Sequence, residues 1–338
     1  MTTTGASHAV QLHPPVPADA PALVIPDIGT VALARRPIPT PGPEQVLVQV
    51  DYSGVSFGTE MWSATGRAAD WGPMPYVPGY QAVGQVIALG DSTSGAHVAV
   101  GELVACFTMG AHQRYVVADL ALTHRVDRTD RSHTAALFVQ PAVGANALNL
   151  AQVKSGDSVL IVGQGLIGQA TAKLARLRGA YVIGTDLSPE RLQISQTHCV
   201  DRIVDASIAP PSEQIADEFP AGVDIVIEST GFDDLVVEAI KCARKHGTMV
   251  FEGQYTGGIT IPPSAAHAKY LTAVFPNFLG SPASRASVLR MLTDGTLDLL
   301  PLITHLTTWD SAVELYSRLF TAERDHINGI VFDWRTAA

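Results

Sequence analysis

Six residues near the middle of the chain have the pattern of a phosphate-binding turn. The run Gly163-Gln164-Gly165-Leu166-Ile167-Gly168 comes directly after an apolar stretch, 159–162, and before a helical pattern. Gly163 permits a tight turn, Gly165 lets the backbone approach a pyrophosphate, and Gly168 allows a helix to pack closely on a strand. The N–H groups at the start of that helix, among them those of Leu166 and Ile167, carry partial positive charge. This pattern predicts a dinucleotide site.

The next apolar stretch, 181–185, ends at Asp186, about 20 residues beyond the glycines. A carboxylate at that place accepts hydrogen bonds from an adenosine ribose and repels a 2′-phosphate, which favours NAD over NADP. Arg191 follows about one helical turn later and could instead bind a 2′-phosphate. The sequence therefore predicts NAD as the cofactor, with NADP as the open alternative.

The order of patterns along the chain indicates two domains. Short β patterns with Gly and Pro turns (46–50 and 79–89) come first and suggest a barrel-like domain. Apolar strands then alternate with helical segments, as in a parallel sheet with helices on both faces. Those strands are 159–162, 181–185, 224–228 and 248–251. A tail of helical patterns (283–292 and 312–319), the segment 302–306 and a last β pattern (329–332) is expected to pack on the first domain.

Composition excludes several classes of protein. The 338 residues include 22 Lys and Arg against 32 Asp and Glu, a net charge of −10, so we expect neither a nucleic-acid nor a membrane partner. Cys106, Cys199 and Cys242 are odd in number and widely spaced, which favours three buried thiols in a reducing compartment. Residues 1–20 lack the pattern of a signal peptide, and we expect a cytoplasmic protein.

Several segments together resemble the medium-chain dehydrogenase/reductase family. They are 46–50 with 54–60 (GVSFGTE), 77–84 (VPGYQAVG), Gln140-Pro141, 223–231 (VDIVIESTG) and 302–305 (LITH). The resemblance implies an α/β fold with a GroES-like β-rich catalytic domain (1–139 and 281–338) and a doubly wound Rossmann domain (140–280). It also implies an active site in the cleft between them, Thr230 as a cofactor-binding residue, and a homodimer or homotetramer.

The departures from that family concern its catalytic zinc. Zinc-dependent members place cysteine, histidine with glutamate, and cysteine or glutamate at three loops, because zinc binds thiolate, imidazole and carboxylate. The corresponding places here hold Ser56 or Phe57, Tyr80-Gln81, and Gln140. We therefore predict no metal and a zinc-independent enzyme, whose first loop is most similar to that of bacteriochlorophyllide dehydrogenase-like members.

Hydrogen-bond donors would then stabilise charge on the reacting oxygen in place of a metal. Tyr80 is the first candidate donor, and Thr59 matches the hydroxyl of the family's proton relay. Glu60 is the candidate general acid/base, because a carboxylate in an apolar cleft has a raised pKa. Gln140 could orient the substrate. The predicted reaction interconverts a secondary alcohol and a ketone on a small or ringed metabolite such as a sugar, a cyclitol or a secondary-metabolite intermediate.

Three other functions stay open. Zinc-free members of the family often reduce conjugated double bonds with NADPH, so an enoyl or quinone reductase is the main alternative. A protein that senses nucleotides without chemistry is another. Gly54-Val55-Ser56-Phe57-Gly58 also matches the G-x-S-x-G nucleophile elbow of serine hydrolases, with Ser56 as nucleophile. That elbow requires a helix directly after Gly58, and the sequence predicts none because a glycine interrupts the segment that follows.

Overall fold

The computed structural model describes residues 16–67, 72–93, 96–255, 257–276 and 278–337. The strands are β1 (Asp19–Val24), β2 (Ala32–Pro37), β3 (Gln45–Gly54), β4 (Gln81–Leu89), β5 (Leu103–Phe107), β6 (Tyr115–Asp119), β7 (Thr123–Arg125), β8 (Ser158–Val162), β9 (Tyr181–Asp186), β10 (Arg202–Asp205), β11 (Val223–Glu228), β12 (Ala243–Phe251), β13 (Thr272–Val274), β14 (Ile303–Thr308) and β15 (Gly329–Asp333).

The α-helices are α1 (Phe57–Ala64), α2 (Val139–Leu150), α3 (Leu166–Leu177), α4 (Pro189–His198), α5 (Pro211–Gln214), α6 (Val236–Cys242), α7 (Pro263–Lys269), α8 (Pro282–Asp294) and α9 (Ala312–Arg318). Short 3-10 helices cover Leu120–Leu122, Ser132–Leu137, Asp233–Leu235, Leu300–Leu302, Trp309–Ser311 and Ala322–His326. Each of these helices, in the part of the chain that the structure describes, is too short or too polar to cross a lipid bilayer.

The first sheet combines the two ends of the chain. Its strand order is β14-β15-β3-β4-β5-β7, with β6 also paired to β3, while β1 and β2 form a separate antiparallel pair. The tail strand β15 pairs antiparallel with β3, so the prediction that the tail packs on the first domain is confirmed. This is the β-rich half of the predicted α/β fold.

The second sheet is parallel throughout, in the order β10-β9-β8-β11-β12-β13. All four predicted strands of this sheet are confirmed. In β8, Val159 and Ile161 pack into the core on one face, and Leu160 and Val162 into the core on the other. Side chains alternate between faces along a strand, so a strand covered on both faces is apolar at every position. The predicted GroES-like and Rossmann combination is confirmed, whereas the exact domain boundaries stay a prediction.

One apolar core runs through both halves. It includes Val83 and Ala105 of the first sheet, Phe138 before α2, and Val159 and Ile161 of the parallel sheet. This shared core therefore joins the two sheets along one side of the cleft between them. The three cysteines are buried free thiols, as predicted, and burial raises each pKa to about 12.

Candidate active site

The glycine turn has the geometry that the sequence predicts. Gly163 has φ +94°, a conformation that side chains other than glycine rarely adopt. A Cβ on Gly168 would lie 2.0 Å from the carbonyl oxygen of Gly163, so α3 can approach β8 only with glycine there. Gly165 is the N-cap of α3, and a Cβ there would meet only open space. The first N–H groups of α3, those of Leu166 and Ile167, thus border an open surface suited to a pyrophosphate.

Asp186 ends β9 beside this turn. Its Oδ2 accepts the N–H of Gln164 at 2.7 Å, and its Oδ1 accepts the N–H of Ser188 at 2.9 Å. Both bonds hold the carboxylate at the rim of the turn, where the ribose of a dinucleotide is expected. The guanidinium carbon of Arg191 lies 5.9 Å from the ring centroid of Phe57 in α1, so this side chain spans the cleft.

Two buried glutamates stand at the ends of β11 and β12. Glu228 accepts hydrogen bonds from the N–H groups of Thr230 (2.8 Å) and Gly231 (3.0 Å) and from the hydroxyls of Thr230 and Tyr255. These bonds fix the loop that carries Thr230, which is predicted to bind the cofactor.

Glu252, at the end of β12, has a different set of donors. It accepts the hydroxyl of Thr171 at 2.8 Å and the hydroxyl of Ser229. Burial raises the pKa of Glu252 to about 7, and the charge of nearby Glu228 acts in the same direction. Glu252 is therefore placed to change protonation near neutral pH.

Helix α1 lies across the carboxyl ends of the parallel strands. The Thr59 hydroxyl donates to Gln254 Oε1 at 3.4 Å, and the Trp62 ring meets Phe232 edge-on at 6.1 Å. Together with the Phe57–Arg191 contact, α1 touches the loops after β11 and β12 and the first turn of α4, the helix that follows β9. Ligands of open α/β sheets bind at this edge. The structure therefore brings predicted catalytic and cofactor-binding residues to one cleft.

Tyr80 lies beneath the start of α1 and is 4% exposed. Burial raises the pKa of its phenol above the usual range, against the opposing effect of hydrogen bonds with the side chains of Ser56 and Thr59. The phenol consequently stays protonated at physiological pH. The three hydroxyls of Ser56, Thr59 and Tyr80 form one cluster, which we call the hydroxyl cluster.

Glu60 belongs to a buried polar network on the other side of α1. Its Oε1 accepts the N–H of Ser56 at 2.7 Å, and its Oε2 is 3.0 Å from His112 Nε2 and accepts the Tyr316 hydroxyl at 2.9 Å. His112 Nδ1 in turn lies 2.7 Å from Ser53 Oγ. These contacts suit a group that holds the start of α1, and a direct acid/base role for Glu60 stays a prediction.

The tautomer of His112 follows from its partners. The Trp334 indole can only donate, and it donates to Ser53 Oγ at 2.8 Å. The Ser53 hydroxyl can then donate its own proton to His112 Nδ1, which leaves His112 Nε2 as the donor to Glu60. Ser53, His112 and Glu60 have the order of a hydrolytic triad, but the three side chains link β3, α1 and the Trp334 indole inside the core, and the Ser53 oxygen is already held by Trp334 and His112.

Gln140, near the start of α2, is 1% exposed. Its Oε1 accepts Gln81 Nε2 at 2.9 Å, and Gln81 Oε1 accepts the N–H of Val139 at 3.0 Å. Among the described residues, Gln140 Nε2 has no hydrogen-bond partner. A buried amide without a partner is uncommon and calls for an explanation.

The places where zinc-dependent relatives hold their metal do not fit zinc here. They carry the hydroxyl of Ser56 or the phenyl ring of Phe57, a neutral phenol and two amides, none of which is a usual zinc ligand. Within the ranges that the structure describes, no three His, Cys, Asp or Glu side chains are grouped as ligands for one metal ion.

From the sequence, Tyr76, Trp62, Trp71, Phe107 and Phe278 are candidates to line a pocket for a ringed substrate, and those that the structure describes fall into separate groups. Tyr80, Phe107 and Phe278 contact one another with ring centroids 5.3–6.2 Å apart. Trp62 lines a 260 Å³ cavity with Phe232 at the mouth of the cleft, whereas Tyr76 is buried and donates to Ser63 at 3.0 Å. Trp71 lies outside the described residues.

One step of the sequence argument against a hydrolase is wrong. The sequence predicted no helix after Gly58, yet α1 begins at Phe57, directly after Ser56. Gly66 comes only after the helix has ended at Ala64, so it does not interrupt α1. The Ser56 side chain is hydrogen-bonded to Tyr80.

Sequence reasoning missed several residues of this site. His112, Tyr316, Ser53 and Trp334 carried no spacing signal, because each meets Glu60 or its neighbours only through the tertiary fold. Glu252 did carry a signal. It directly follows the apolar strand 248–251, as Asp186 follows 181–185 in the sequence pattern, and the same argument would have found it.

Comparison with known proteins agrees with this architecture. Residues 42–128 match the family model "Alcohol dehydrogenase GroES-like domain", and residues 167–294 match "Zinc-binding dehydrogenase". Together the two models match well over half of the chain. The chain belongs to the alcohol dehydrogenase-like medium-chain dehydrogenase/reductase family. It is thus an oxidoreductase by family.

Individual members of the family align along nearly the whole chain. The L-galactonate-5-dehydrogenase of Escherichia coli (strain K12) is 27% identical over 88% of this chain and 94% of its own length. A candidate zinc-binding dehydrogenase from Sinorhizobium meliloti 1021, bound to NADP, superposes with TM-score 0.82 at 22% identity, covering 94% and 100% of the two chains. An alcohol dehydrogenase from E. coli CFT073, complexed with NADH, gives TM-score 0.82 at 20% identity, covering 94% and 100%. These two structures establish the shared fold.

Proposed function

We propose that this protein is a zinc-independent, NAD(H)-dependent oxidoreductase that interconverts a secondary alcohol and a ketone. The observation that carries the proposal is the hydroxyl cluster. By the resemblance, Tyr80 and either Ser56 or Phe57 correspond to places where zinc-dependent members hold metal ligands, and Thr59 reaches the loop after β12. The cluster therefore sits beside a dinucleotide-binding turn and offers proton donors to a reacting oxygen.

The residues around the turn fit a nicotinamide dinucleotide. Open space at Gly165 and the start of α3 suit the pyrophosphate, and the Asp186 carboxylate suits the adenosine ribose. The carboxylate supports NAD over NADP because it repels a 2′-phosphate. Arg191 is engaged with Phe57 across the cleft, which leaves Asp186 as the nearer charge to the turn.

The bound dinucleotide supplies the hydride acceptor or donor at its nicotinamide ring. The chain's own residues handle the proton and the charge on oxygen. In the direction of ketone reduction, the Tyr80 phenol donates a hydrogen bond and then its proton to the oxygen, and Thr59, the most exposed member of the cluster, resupplies the phenol from solvent. In alcohol oxidation the proton leaves by the same path.

Glu60 has a positioning part in this proposal. It holds the N–H of Ser56 and is itself held by His112 and Tyr316, so it fixes the start of α1 and the two hydroxyls there. Its negative charge also raises the pKa of Tyr80, which favours the protonated phenol.

For the substrate we propose a small or ringed polyhydroxy metabolite, such as a sugar, a cyclitol or a secondary-metabolite intermediate. The match with L-galactonate-5-dehydrogenase supports this class. The contacting rings of Tyr80, Phe107 and Phe278 could cover the apolar face of such a substrate. A homodimer or homotetramer also stays a proposal, and the exposed rings of Tyr270 and Phe275 next to edge strand β13 mark a surface for it.

Metal analysis of the purified protein, combined with an NADH-coupled screen of secondary alcohols and ketones, tests the proposal. We expect substoichiometric zinc and turnover unaffected by chelators. Tightly held stoichiometric zinc that is needed for activity would overturn zinc independence. Turnover of enones with NADPH but of no ketone would assign the protein to the enoyl or quinone reductases instead.

Substitution of the phenol tests the mechanism. Tyr80→Phe should lower kcat by about 10²- to 10³-fold, the effect of losing one donor at a developing oxyanion. Tyr76→Phe is the matched control, because Tyr76 is also a buried phenol but bonds to Ser63. We expect kcat of that control to stay within about threefold of the wild type, and equal losses in both variants would contradict the assignment of Tyr80.

A further inference from the structure

The pair Gln81 and Gln140 forms a chain of amides whose orientation is fixed from one end. The backbone N–H of Val139 can only donate, so the atom of Gln81 that faces it at 3.0 Å must be Oε1. Gln81 Nε2 then donates to Gln140 Oε1 at 2.9 Å. Gln140 is therefore left with its Nε2 as the free end. Neither amide can flip without placing two donors or two acceptors face to face.

This pair of hydrogen-bonded amides is anchored at the start of α2. Val139 is the first residue of that helix, and its N-cap, Phe138, has no side chain that could accept a hydrogen bond. Gln81 Oε1 takes over that task. N–H groups at a helix start carry partial positive charge. The two hydrogen bonds, from Val139 to Gln81 and from Gln81 to Gln140, therefore polarise the Gln140 amide and make its Nε2 a better donor.

Within the part of the chain that the structure describes, the free end of this pair has no protein partner. Gln140 Nε2 is buried and unpaired among the described residues, although leaving a buried donor unsatisfied is costly. Gln81 directly follows Tyr80, and Tyr80 packs in the same core as Phe138 and Val139. The unpaired donor thus lies one hydrogen bond away from Gln81, the residue next to Tyr80.

We propose that Gln140 Nε2 is a second hydrogen-bond donor to the reacting oxygen of the substrate, alongside the Tyr80 phenol, and that Gln81 is the positioning residue that turns it toward that oxygen. This inference rests on the proposed function, since it names a further donor for the same reaction. Two neutral donors then share the charge that a Lewis acid holds in zinc-dependent relatives.

Gln81→Glu tests the orientation. An ionised carboxylate still accepts the N–H of Val139 but can only accept from Gln140, so the Gln140 amide turns its Nε2 toward position 81 and presents Oε1 to the substrate. We expect kcat to fall by about 10²-fold, with the Kd for NADH unchanged. When the new carboxyl group is protonated at low pH it can donate again, so activity of the variant should recover as the pH falls.

Gln85→Glu is the matched control. Gln85 lies on the same strand and donates to the carbonyl of Gly101, outside the cleft. We expect a wild-type pH profile and a kcat within about threefold of the wild type. A low-pH recovery confined to Gln81→Glu is a result that a merely structural role would not give.

A second measurement does not depend on turnover. In protein labelled with 15N-glutamine, the side-chain signals of Gln140, assigned by their loss in Gln140→Met, should shift when dimethyl sulfoxide is added with NADH, because its oxygen accepts hydrogen bonds. The signals of Gln85 should not shift. Unmoved Gln140 signals, or a Gln81→Glu variant with wild-type kcat, overturn this inference. A wild-type protein that binds NADH but acts on no alcohol or ketone overturns the proposed function instead.

Discussion

The two sides of the cleft bury a carboxylate in different ways. On the GroES-like side, Glu60 accepts from a backbone N–H, a phenol and His112, whose tautomer the network fixes. On the Rossmann side, Glu252 accepts from two hydroxyls and lies near a second carboxylate, Glu228. Both residues are almost fully buried.

This difference determines what each carboxylate can do. The donors of Glu60 that come from the backbone and from His112 cannot rotate to become acceptors, so they hold the geometry of this carboxylate. The hydroxyls around Glu252 can donate to a carboxylate or accept from a carboxylic acid, and the charge of Glu228 opposes ionisation. The Glu60 network is suited to a fixed scaffold, and the Glu252 group to a change of protonation.

The largest expected effect comes from breaking the network of Glu60. His112→Leu removes the donor to Glu60 and leaves a buried charge without one partner, which should lower the free energy of unfolding by about 3–5 kcal/mol. Urea unfolding measures this loss. His326→Leu is the control, because His326 is exposed, and we expect a change of at most about 0.5 kcal/mol. Similar losses for both variants would show that the network is not a scaffold.

On the Rossmann side, alanine substitutions at two glycines of the turn should affect stability and NADH binding differently. A Cβ on Gly168 would press on the backbone of Gly163, so Gly168→Ala should cost about 1–3 kcal/mol of stability and also weaken NADH binding. Gly165→Ala meets open space in the protein, so its melting temperature should stay near that of the wild type. Its affinity for NADH should nevertheless fall about 10- to 100-fold, because the methyl group stands where the pyrophosphate approaches. Calorimetric titration that shows wild-type affinity in Gly165→Ala would contradict the predicted site.

The protonation of Glu252 should appear as a dependence of stability on pH. Its folded pKa of about 7 lies above the ordinary 4.5, so the unfolded chain loses this proton first as the pH rises. The stabilisation is complete below about pH 4.5 and is lost as the pH rises through 7, a change of about 3 kcal/mol. Glu252→Gln, which resembles the protonated form, should remove that part of the slope in urea unfolding between pH 5 and 8.

Exposed Glu44 provides the comparison for that slope. Glu44→Gln removes one carboxylate without touching the cleft, so the pH dependence of unfolding should remain that of the wild type. If both variants keep the wild-type slope, Glu252 is ionised across this range and the contrast with Glu60 disappears.

The smallest expected effect concerns the choice between NAD and NADP. Asp186→Ala should raise the affinity for NADPH relative to NADH about tenfold, since a repulsive charge near the 2′-phosphate is removed. Asp205→Ala is the control, because Asp205 ends the neighbouring strand β10 and holds the N–H of Ser207 as Asp186 holds that of Ser188. If the ratio of NADPH to NADH affinity is unchanged in Asp186→Ala, other residues determine the cofactor preference, and Arg191 is the first to test.

Much of the fold could be predicted because its signals are local. The four predicted parallel strands centre on short apolar runs, and these runs are apolar because helices cover both faces of the sheet. Glycine is needed at 163 and 168 because of the backbone conformation and the close approach within a single turn, so a short stretch of sequence is enough to recognise it. Helix α1 was missed because the sequence argument gave weight to a glycine that lies just beyond its end.

The candidate site was predictable only in part, for the opposite reason. Tyr80, Thr59 and Gln140 were found through the resemblance, but the partners of Glu60 lie 52 and 256 residues away in sequence at His112 and Tyr316. Contacts of that kind leave no periodic signal. Glu252 is the exception, since an acidic residue at the end of an apolar strand could be recognised directly.

The amino-acid sequence alone determined the dinucleotide turn, the succession of two domains and the types of side chain available to the reaction, since these depend on backbone freedom, periodicity and functional groups. Only the tertiary structure decided which polar groups became partners and which donor remained free. Hydrogen bonds act over about 3 Å, so the direction of the Gln140 amide and the position of Glu60 were settled only when distant segments met in the core.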